Sequence, residues 1–322
     1  MAPDRAYEVN AFGRWRAKTS LLLCALTFAA LTGCGKEDES ASGVVSTEPG
    51  PAPLIFATNY PLQYVSAALT GDAAKVQFPN MDGDPAFWQP TADVVAEMQQ
   101  ADLIVLNGAG YEPWLGQVTL PADRLLDTSA GFRDQWIESG GPTHSHGADG
   151  EHAHSNYAFT TWLDFDLAKI QAAAIRDRLA TLLPDIDQEI EGNWTTLTTR
   201  LDAWDTRLTE LGARFGDTPV LFSHPVYQYL ERRYGFNGRS LHWEPDSVPL
   251  DAEWAALPAL LSEHPATLMI WEDEPLAETV EGLRALGVES VVFSPMGNRP
   301  ATGDFESNME GNLESLEGVA PP

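Results

Sequence analysis

Basic residues and cysteines are both scarce in this sequence. Its 322 residues include 19 Lys and Arg against 47 Asp and Glu, so the formal net charge is -28. A chain of this charge repels a phosphate backbone, which excludes nucleic acid as an expected partner, whereas a cationic ligand suits its field. The cysteines, Cys24 and Cys34, both lie near the amino terminus. We therefore expect the remainder of the chain to fold without a disulfide.

The sequence also lacks an apolar run long enough to span a membrane comfortably. A basic stretch ending at Lys18 precedes a short apolar run at 21–31, and a Leu-Thr-Gly-Cys sequence ends at Cys34. This is the pattern of a targeting peptide, and it resembles a bacterial lipoprotein signal with its lipobox. The resemblance implies that 1–33 is removed and that a lipidated Cys34 begins a flexible tether, 34–53. The alternative is an uncleaved anchor in which Cys34 has no role.

Proline is absent from 187–215, and the pattern of this stretch predicts one long helix. Its large apolar residues are spaced alternately by four and three, which places them on one stripe of a helix and on no single face of a strand. They are Ile190, Trp194, Leu197, Leu201, Trp204, Leu208, Leu211 and Phe215. The helix is roughly 40 Å long at ~1.5 Å per residue. We interpret it as a strut between two lobes; a bundle or coiled-coil helix is the alternative.

Predicted strands and helices alternate on both sides of this helix, an order that predicts a mainly parallel sheet in each half. The expected fold class is therefore α/β, with two lobes, each a mainly parallel sheet flanked by helices, joined by one long rigid helix. The predicted divisions are an amino-terminal lobe at 54–165, a helical region at 166–216 and a carboxyl-terminal lobe at 217–322.

Histidine is concentrated in one glycine-containing loop at 142–156. It holds two His-x-His pairs, which are His144, His146, His152 and His154. Imidazole is a common zinc ligand, and alternate residues of an extended segment can point to the same side. The loop therefore predicts a weak metal site. The alternative is a solvated loop that binds metal only adventitiously.

A second candidate metal site lies at predicted strand ends of the carboxyl-terminal lobe. In open α/β sheets, ligands bind at the carboxyl ends of the strands. His224 and Glu272 follow predicted strands, and His242 and Glu244 are two residues apart, on one face if extended. The four side chains predict an N/O metal site, either closed for zinc or with a position left for water. The alternative is that they are helix-capping, packing and solvated residues.

Several short motifs follow one another along the chain. They are Asp84-Pro85, Pro90-Thr91, an Ala-Asp-Leu-Ile-Val run at 101–105, Thr161-Trp162-Leu163-Asp164, Ser223-His224-Pro225, Tyr234-Gly235-Phe236 and 308–316. Together with the signal, the histidine-rich loop and the long helix, their order resembles the zinc- and manganese-binding receptors of bacterial ABC importers. The resemblance covers nearly the whole chain after the signal.

This resemblance implies an extracytoplasmic receptor that captures a metal ion and delivers it to an ABC permease in the inner membrane. Zn2+ is the expected metal, with Mn2+ or another divalent transition metal as the alternative. The expected protein is a monomer without enzymatic activity. Lipid on Cys34 would hold it in the cell envelope, on the periplasmic or extracellular face of the membrane.

Three of the four metal-ligand positions of that family hold other residues here. A histidine is expected after Asp84-Pro85 and before Trp162, where Ala86 and Thr160 stand, and an aspartate is expected at Ser294. His224 is retained, but one histidine does not complete a tetrahedral zinc site. The cluster of His224, His242, Glu244 and Glu272 is therefore the predicted substitute.

Three other functional interpretations remain open from the sequence. Aromatic residues beside the expected ligand positions favour a receptor for a metal chelate or another small solute in an aromatic cleft. These are Phe87, Trp88, Trp162, Trp243 and Trp271. Carboxylates at Glu244, Glu272 and Asp273 beside tryptophans are compatible with a hydrolase, although the sequence contains no nucleophile motif, Walker loop or dinucleotide fingerprint. A surface adhesin is a further alternative.

Overall fold

The computed structural model describes residues 51–79, 81, 88–139, 144–145, 151–152 and 156–322. The predicted signal and the tether as far as residue 50, with Cys34, lie outside the described residues, as do Asp84, Ala86 and Phe87. In the part of the chain that is described, no helix combines the length and apolarity needed to cross a membrane.

The amino-terminal lobe is built on a four-stranded parallel sheet. Its strands are β1 (Leu54–Ala57), β2 (Lys75–Gln77), β3 (Leu103–Leu106) and β4 (Leu125–Asp127), in the order β2-β1-β3-β4. Two helices belong to this lobe, α1 (Tyr60–Thr70) and α2 (Ala92–Gln100). Every residue of β3 is buried, which agrees with its continuous apolar sequence and a sheet covered on both faces.

The histidine-rich loop contains a short antiparallel pair of strands, β5 (His144–Ser145) and β6 (Glu151–His152). His144 is the backbone partner of His152 in this pair. His146 and His154 lie outside the described residues. The metal site predicted for this loop therefore stays a prediction.

Two long helices connect the lobes, α3 (Phe165–Leu182) and α4 (Asp187–Phe215). The bounds of α4 are those that the apolar stripe predicts, and the stripe is buried except at Trp194, which is partly buried under the Arg176 guanidinium. Helix α4 packs against α1 and α3 on one side of the molecule and against helices of the other lobe. It is therefore the strut that the sequence predicts.

The carboxyl-terminal lobe repeats the parallel arrangement, with strand order β10-β9-β7-β8. Its strands are β7 (Pro219–Phe222), β8 (Asn237–Ser240), β9 (Leu268–Trp271) and β10 (Glu289–Val292). Its helices are α5 (Gln228–Tyr234), α6 (Asp251–Glu263), α7 (Ala277–Ala285) and α8 (Phe305–Val319). Strand β8 is not predicted from the sequence because its Asn-Gly-Arg-Ser run is polar, as suits its position at the sheet edge.

Helix α8 returns from the second sheet to the first lobe. The ring of Phe305 stacks on Tyr64 with centroids 4.5 Å apart, and the Tyr64 hydroxyl donates to Glu306 Oε1 over 3.1 Å. Glu306 also pairs with Arg200 of α4. Burial raises the pKa of Tyr64 to about 12. Helices α1, α4 and α8 thus form one seam that joins the two lobes.

Candidate metal centre

Three potential metal ligands lie together at one edge of the second sheet. The Nδ1 atom of His224 is 3.6 Å from Glu244 Oε1 and 3.7 Å from Glu272 Oε1. Each residue offers a ligand atom, and these atoms all lie within 4.8 Å of one another. Two ligands of a tetrahedral zinc ion are about 3.4 Å apart, given metal–ligand distances of about 2.1 Å. Small rotations of the side chains would therefore complete three positions of a site.

The sheet topology explains why these residues meet. His224 follows β7, Glu244 follows β8 and Glu272 directly follows β9. Strand β7 pairs in parallel with both β8 and β9, so the carboxyl ends of all three strands lie side by side. The sequence-based expectation of a cluster at this edge rests on the same geometry.

Ser223 ties the three loops together next to His224. Its backbone N–H donates to the Ile270 carbonyl over 2.9 Å, and its own carbonyl accepts from the Trp243 N–H over 2.8 Å. Its hydroxyl accepts from the Glu272 N–H over 3.3 Å. Ser223 is fully buried. These bonds fix the backbone beside each ligand, which reduces the ordering cost of binding an ion.

Exposure of the three side chains defines the open side of the cluster. The side chain of His224 is 13% exposed, that of Glu272 is 23% exposed and that of Glu244 is 41% exposed. An ion therefore reaches the imidazole from the side of Glu244. Two carboxylates beside one imidazole favour a divalent cation, and an overall charge of -28 favours its approach.

His242, the fourth ligand predicted from the sequence, lies beside the cluster. Its ring centroid is 5.5 Å from that of His224, and the two rings are inclined by 80°. The structure thus brings together His224, Glu244 and Glu272, while His242 stands next to them on the exposed side. Ligation by His242 remains a prediction.

Two of the other positions at which the family resemblance implies ligands, Thr160 and Ser294, have structural roles. Thr160 is buried, and its hydroxyl donates to the Val226 carbonyl over 2.6 Å. Ser294 donates its N–H to Asn312 Oδ1 over 2.9 Å, and its hydroxyl accepts from Met296 N–H over 3.4 Å. The Thr160 side chain therefore joins its segment to the loop after β7, and the Ser294 side chain stabilises its own loop.

Three of the tryptophans considered for an aromatic cleft belong to the core. Trp162, Trp243 and Trp271 are all almost completely buried. The Trp162 indole N–H donates to the Pro295 carbonyl over 2.7 Å, and that of Trp271 donates to Ser290 Oγ over 3.2 Å. The prediction of an aromatic cleft lined by these three residues is therefore wrong, because their rings are packed in the core.

A buried carboxyl group in the first lobe is missed by sequence reasoning. Glu112 accepts hydrogen bonds from Thr58 Oγ1 over 2.6 Å, from Asn107 N–H over 2.7 Å and from Gly108 N–H over 3.1 Å. Burial raises its pKa to about 7, against the opposing effect of these donors. It holds the loop after β3, where Gly108 has a φ of 75°. The sequence does offer one signal for this residue, which is an acidic side chain soon after the glycines that end β3.

Comparison with known proteins agrees with this fold. The family model described as zinc-uptake complex component A, periplasmic (ZnuA) matches residues 55–319. The zinc-binding lipoprotein AdcA of Streptococcus pneumoniae is 26% identical over 315 residues, which is 93% of this chain and 60% of AdcA. The high-affinity zinc uptake system protein ZnuA of Bacillus subtilis is 22% identical over 300 residues, covering 88% of this chain and 89% of that protein.

A solved structure shows the same fold. The Zn(II)-bound ZnuA-like domain of Streptococcus pneumoniae AdcA superposes with a TM-score of 0.70 at 20% identity, covering 85% of this chain and 100% of that domain. This chain thus spans about 60% of the length of AdcA and the whole of its ZnuA-like domain. The sequence-based resemblance is confirmed, and the chain belongs to the family of periplasmic component A of zinc-uptake complexes.

Proposed function

We propose that this protein is an extracytoplasmic receptor that captures zinc and delivers it to the permease of an ABC importer. The observation that carries the proposal is the grouping of His224, Glu244 and Glu272 at the carboxyl edge of the second sheet. The names of its relatives, a zinc-binding lipoprotein and a zinc uptake system protein, support zinc as the cargo.

The three residues supply one nitrogen and two oxygen ligands. Such a set accepts zinc, and its oxygen-rich composition also accepts Mn2+, the alternative cargo. One tetrahedral position remains for water, for His242 after a rotation of its ring, or for a donor atom that arrives with the metal. The last case would make the cargo a metal chelate held by the same residues.

The location and partners follow from the same family assignment. Lipid on Cys34 would keep the receptor at the membrane, on the periplasmic or extracellular face, within reach of its permease. The histidine-rich loop at 142–156 would bind metal ions weakly, in addition to the main site. We further infer that the receptor is a monomer, that it binds no nucleic acid and that it performs no catalysis.

Calorimetric titration of zinc into the protein without its signal tests the cluster directly. We expect tight one-to-one binding that survives deletion of 142–156. His224→Ala and Glu272→Gln should each weaken zinc affinity by about 100-fold or more, since even residues that only support metal ligands contribute about 10–100-fold. Glu278→Gln is the control, because Glu278 is exposed on α7 and outside the cluster.

The opposite pattern would identify the loop as the main site. If deletion of 142–156 abolishes tight binding while His224→Ala and Glu272→Gln bind zinc as the unmodified protein does, the cluster is not the receptor site. If zinc binds weakly in every variant but a zinc chelate binds tightly through His224, the cargo is the chelate.

A further inference from the structure

Three exposed apolar side chains lie on the loops that carry two of the candidate metal ligands. Among the described residues, Val248, Leu250 and Leu276 are 48%, 70% and 36% exposed. They lie on two loops, one after β8 and one after β9. The Leu276 N–H donates to the Pro245 carbonyl over 3.0 Å, so the two loops are joined. We call these three side chains the apolar patch.

The apolar patch is held in place by its surroundings. The Leu250 N–H donates to Glu253 Oε2 over 2.6 Å, and Pro249 between the exposed residues is buried. The carbonyl of Leu276 accepts the N–H groups of Thr279 and Val280 at the start of α7. Because the backbone here is already ordered, a partner that covers these side chains loses little conformational entropy on binding.

The loops of the apolar patch are also the loops of the metal ligands. Glu244 immediately precedes Pro245, and Glu272 lies four residues before Leu276. Glu244 is the ligand whose side chain is most exposed, at 41%. A partner seated on the apolar patch therefore contacts the loops that carry two of the three metal ligands.

Acidic side chains surround the apolar patch. Asp246, Asp251, Asp273 and Glu274 are all exposed in the same two loops and at the start of α6. A second copy of the chain would bring the same negative charges, and an anionic lipid surface would also be repelled. The surface is complementary to an apolar depression with Lys or Arg at its rim.

We propose that the apolar patch and its acidic rim dock on the extracytoplasmic face of the importer's permease, at an apolar surface bordered by basic residues. This inference rests on the proposed function, since an ion passes between two proteins only where the receiving protein covers the exit of the site. Docking would place the loop that carries Glu244 against the entrance of the permease.

The test measures docking and zinc binding on the same variants. The lipoprotein, with zinc bound, is titrated against its permease complex in lipid nanodiscs by biolayer interferometry. We expect Val248→Ser with Leu250→Ser to weaken docking at least 10-fold while zinc affinity, measured by calorimetry, is unchanged. Leu286→Ser is the matched control, since this leucine is 43% exposed at the opposite edge of the same sheet; it should dock normally.

A charge variant provides independent evidence if the serine variant folds poorly. Asp246→Lys with Asp251→Lys should weaken docking, and higher salt should weaken docking of the unmodified protein. Unchanged docking in both double variants would overturn the inference. It would also be overturned if the apolar patch mediated dimers in light scattering, or binding to protein-free vesicles of phosphatidylethanolamine and phosphatidylglycerol.

The same measurements separate the two proposals. If the unmodified protein fails to bind zinc, the proposed function fails whatever the docking result, and the docking inference falls with it. If zinc binding depends on His224 as expected but the substitutions in the apolar patch leave docking affinity unchanged, the docking inference alone fails.

Discussion

Two carboxyl groups, Glu112 and Glu231, illustrate how burial changes the chemistry of single residues. Burial raises the pKa of each to about 7. Glu112 is also held by three hydrogen-bond donors, whereas burial is the cause of the shift at Glu231. Glu231 is therefore the simpler residue with which to measure the effect on stability.

We predict that Glu231→Gln flattens the pH dependence of the unfolding free energy. The pKa of the Glu231 carboxyl is about 7 in the native state, whereas the ordinary pKa of a glutamate is 4.5. Because the native state binds more protons between these values, stability falls as pH rises through this window. The unmodified protein should lose on the order of 1–2 kcal/mol more than the variant between pH 5 and pH 8, after allowance for partial exposure.

Urea unfolding at the two pH values measures this difference. Glu278→Gln serves as the control, because this exposed carboxylate should leave the profile of the unmodified protein unchanged. A Glu231→Gln profile parallel to that of the unmodified protein would show that Glu231 is ionised throughout the window.

At the scale of elements, α4 contains two glycines with opposite roles. A Cβ atom added at Gly212 would lie 1.9 Å from the Tyr234 carbonyl oxygen of α5, whereas one added at Gly192 meets nothing within 4 Å. Gly212 therefore permits the close approach of α4 and α5. Gly192 only weakens the helix.

We predict opposite changes in stability when each glycine is replaced by alanine. Gly212→Ala should destabilise the protein by about 1–3 kcal/mol, because α5 must move away from α4. Gly192→Ala should stabilise it by about 0.5–1 kcal/mol, since alanine favours a helix interior. Thermal unfolding of both variants tests the pair, and equal effects of the two substitutions would contradict the close approach.

The elements also show what the sequence can predict. The alternating spacing of apolar residues predicts α4, because only a helix can bury them on one stripe. The order of the parallel strands predicts that His224, Glu244 and Glu272 meet at one edge of the sheet. The hydrogen bonds of Ser223 and the bond from Thr58 to Glu112 join residues that are distant in sequence, so a local sequence pattern does not reveal them. Strand β8 likewise owes its pairing to β7 and not to its polar sequence.

At the scale of the whole molecule, the lobes are joined at several places within the described residues. The seam of α1, α4 and α8 is one. At another, the Trp162 indole donates to the Pro295 carbonyl over 2.7 Å and the Tyr60 N–H donates to the Gly297 carbonyl over 3.0 Å. At a third, the Thr160 hydroxyl donates to the Val226 carbonyl over 2.6 Å. Because the grouped ligands His224, Glu244 and Glu272 all belong to the second lobe, metal binding by them needs no closure of one lobe on the other.

We therefore predict that zinc binding changes the overall dimensions very little. The radius of gyration from small-angle X-ray scattering should change by less than about 1 Å, against roughly 19 Å for a folded chain of this size without its signal. A chelator-treated sample is the reference, and the variant lacking 142–156 controls for contraction of the histidine-rich loop. A decrease of several ångströms in both proteins would indicate closure of the lobes.

The return of α8 to the first lobe sets an order for assembly during synthesis. Tyr64 and Glu306 are in contact although 242 positions separate them in sequence. Synthesis proceeds from the amino terminus. The surface around the Tyr64 ring therefore stays uncovered until Phe305, which stacks on it, has been made. A growing chain thus carries an incomplete first lobe until α8 has been made, and removing α8 would leave that surface permanently exposed to proteases and aggregation.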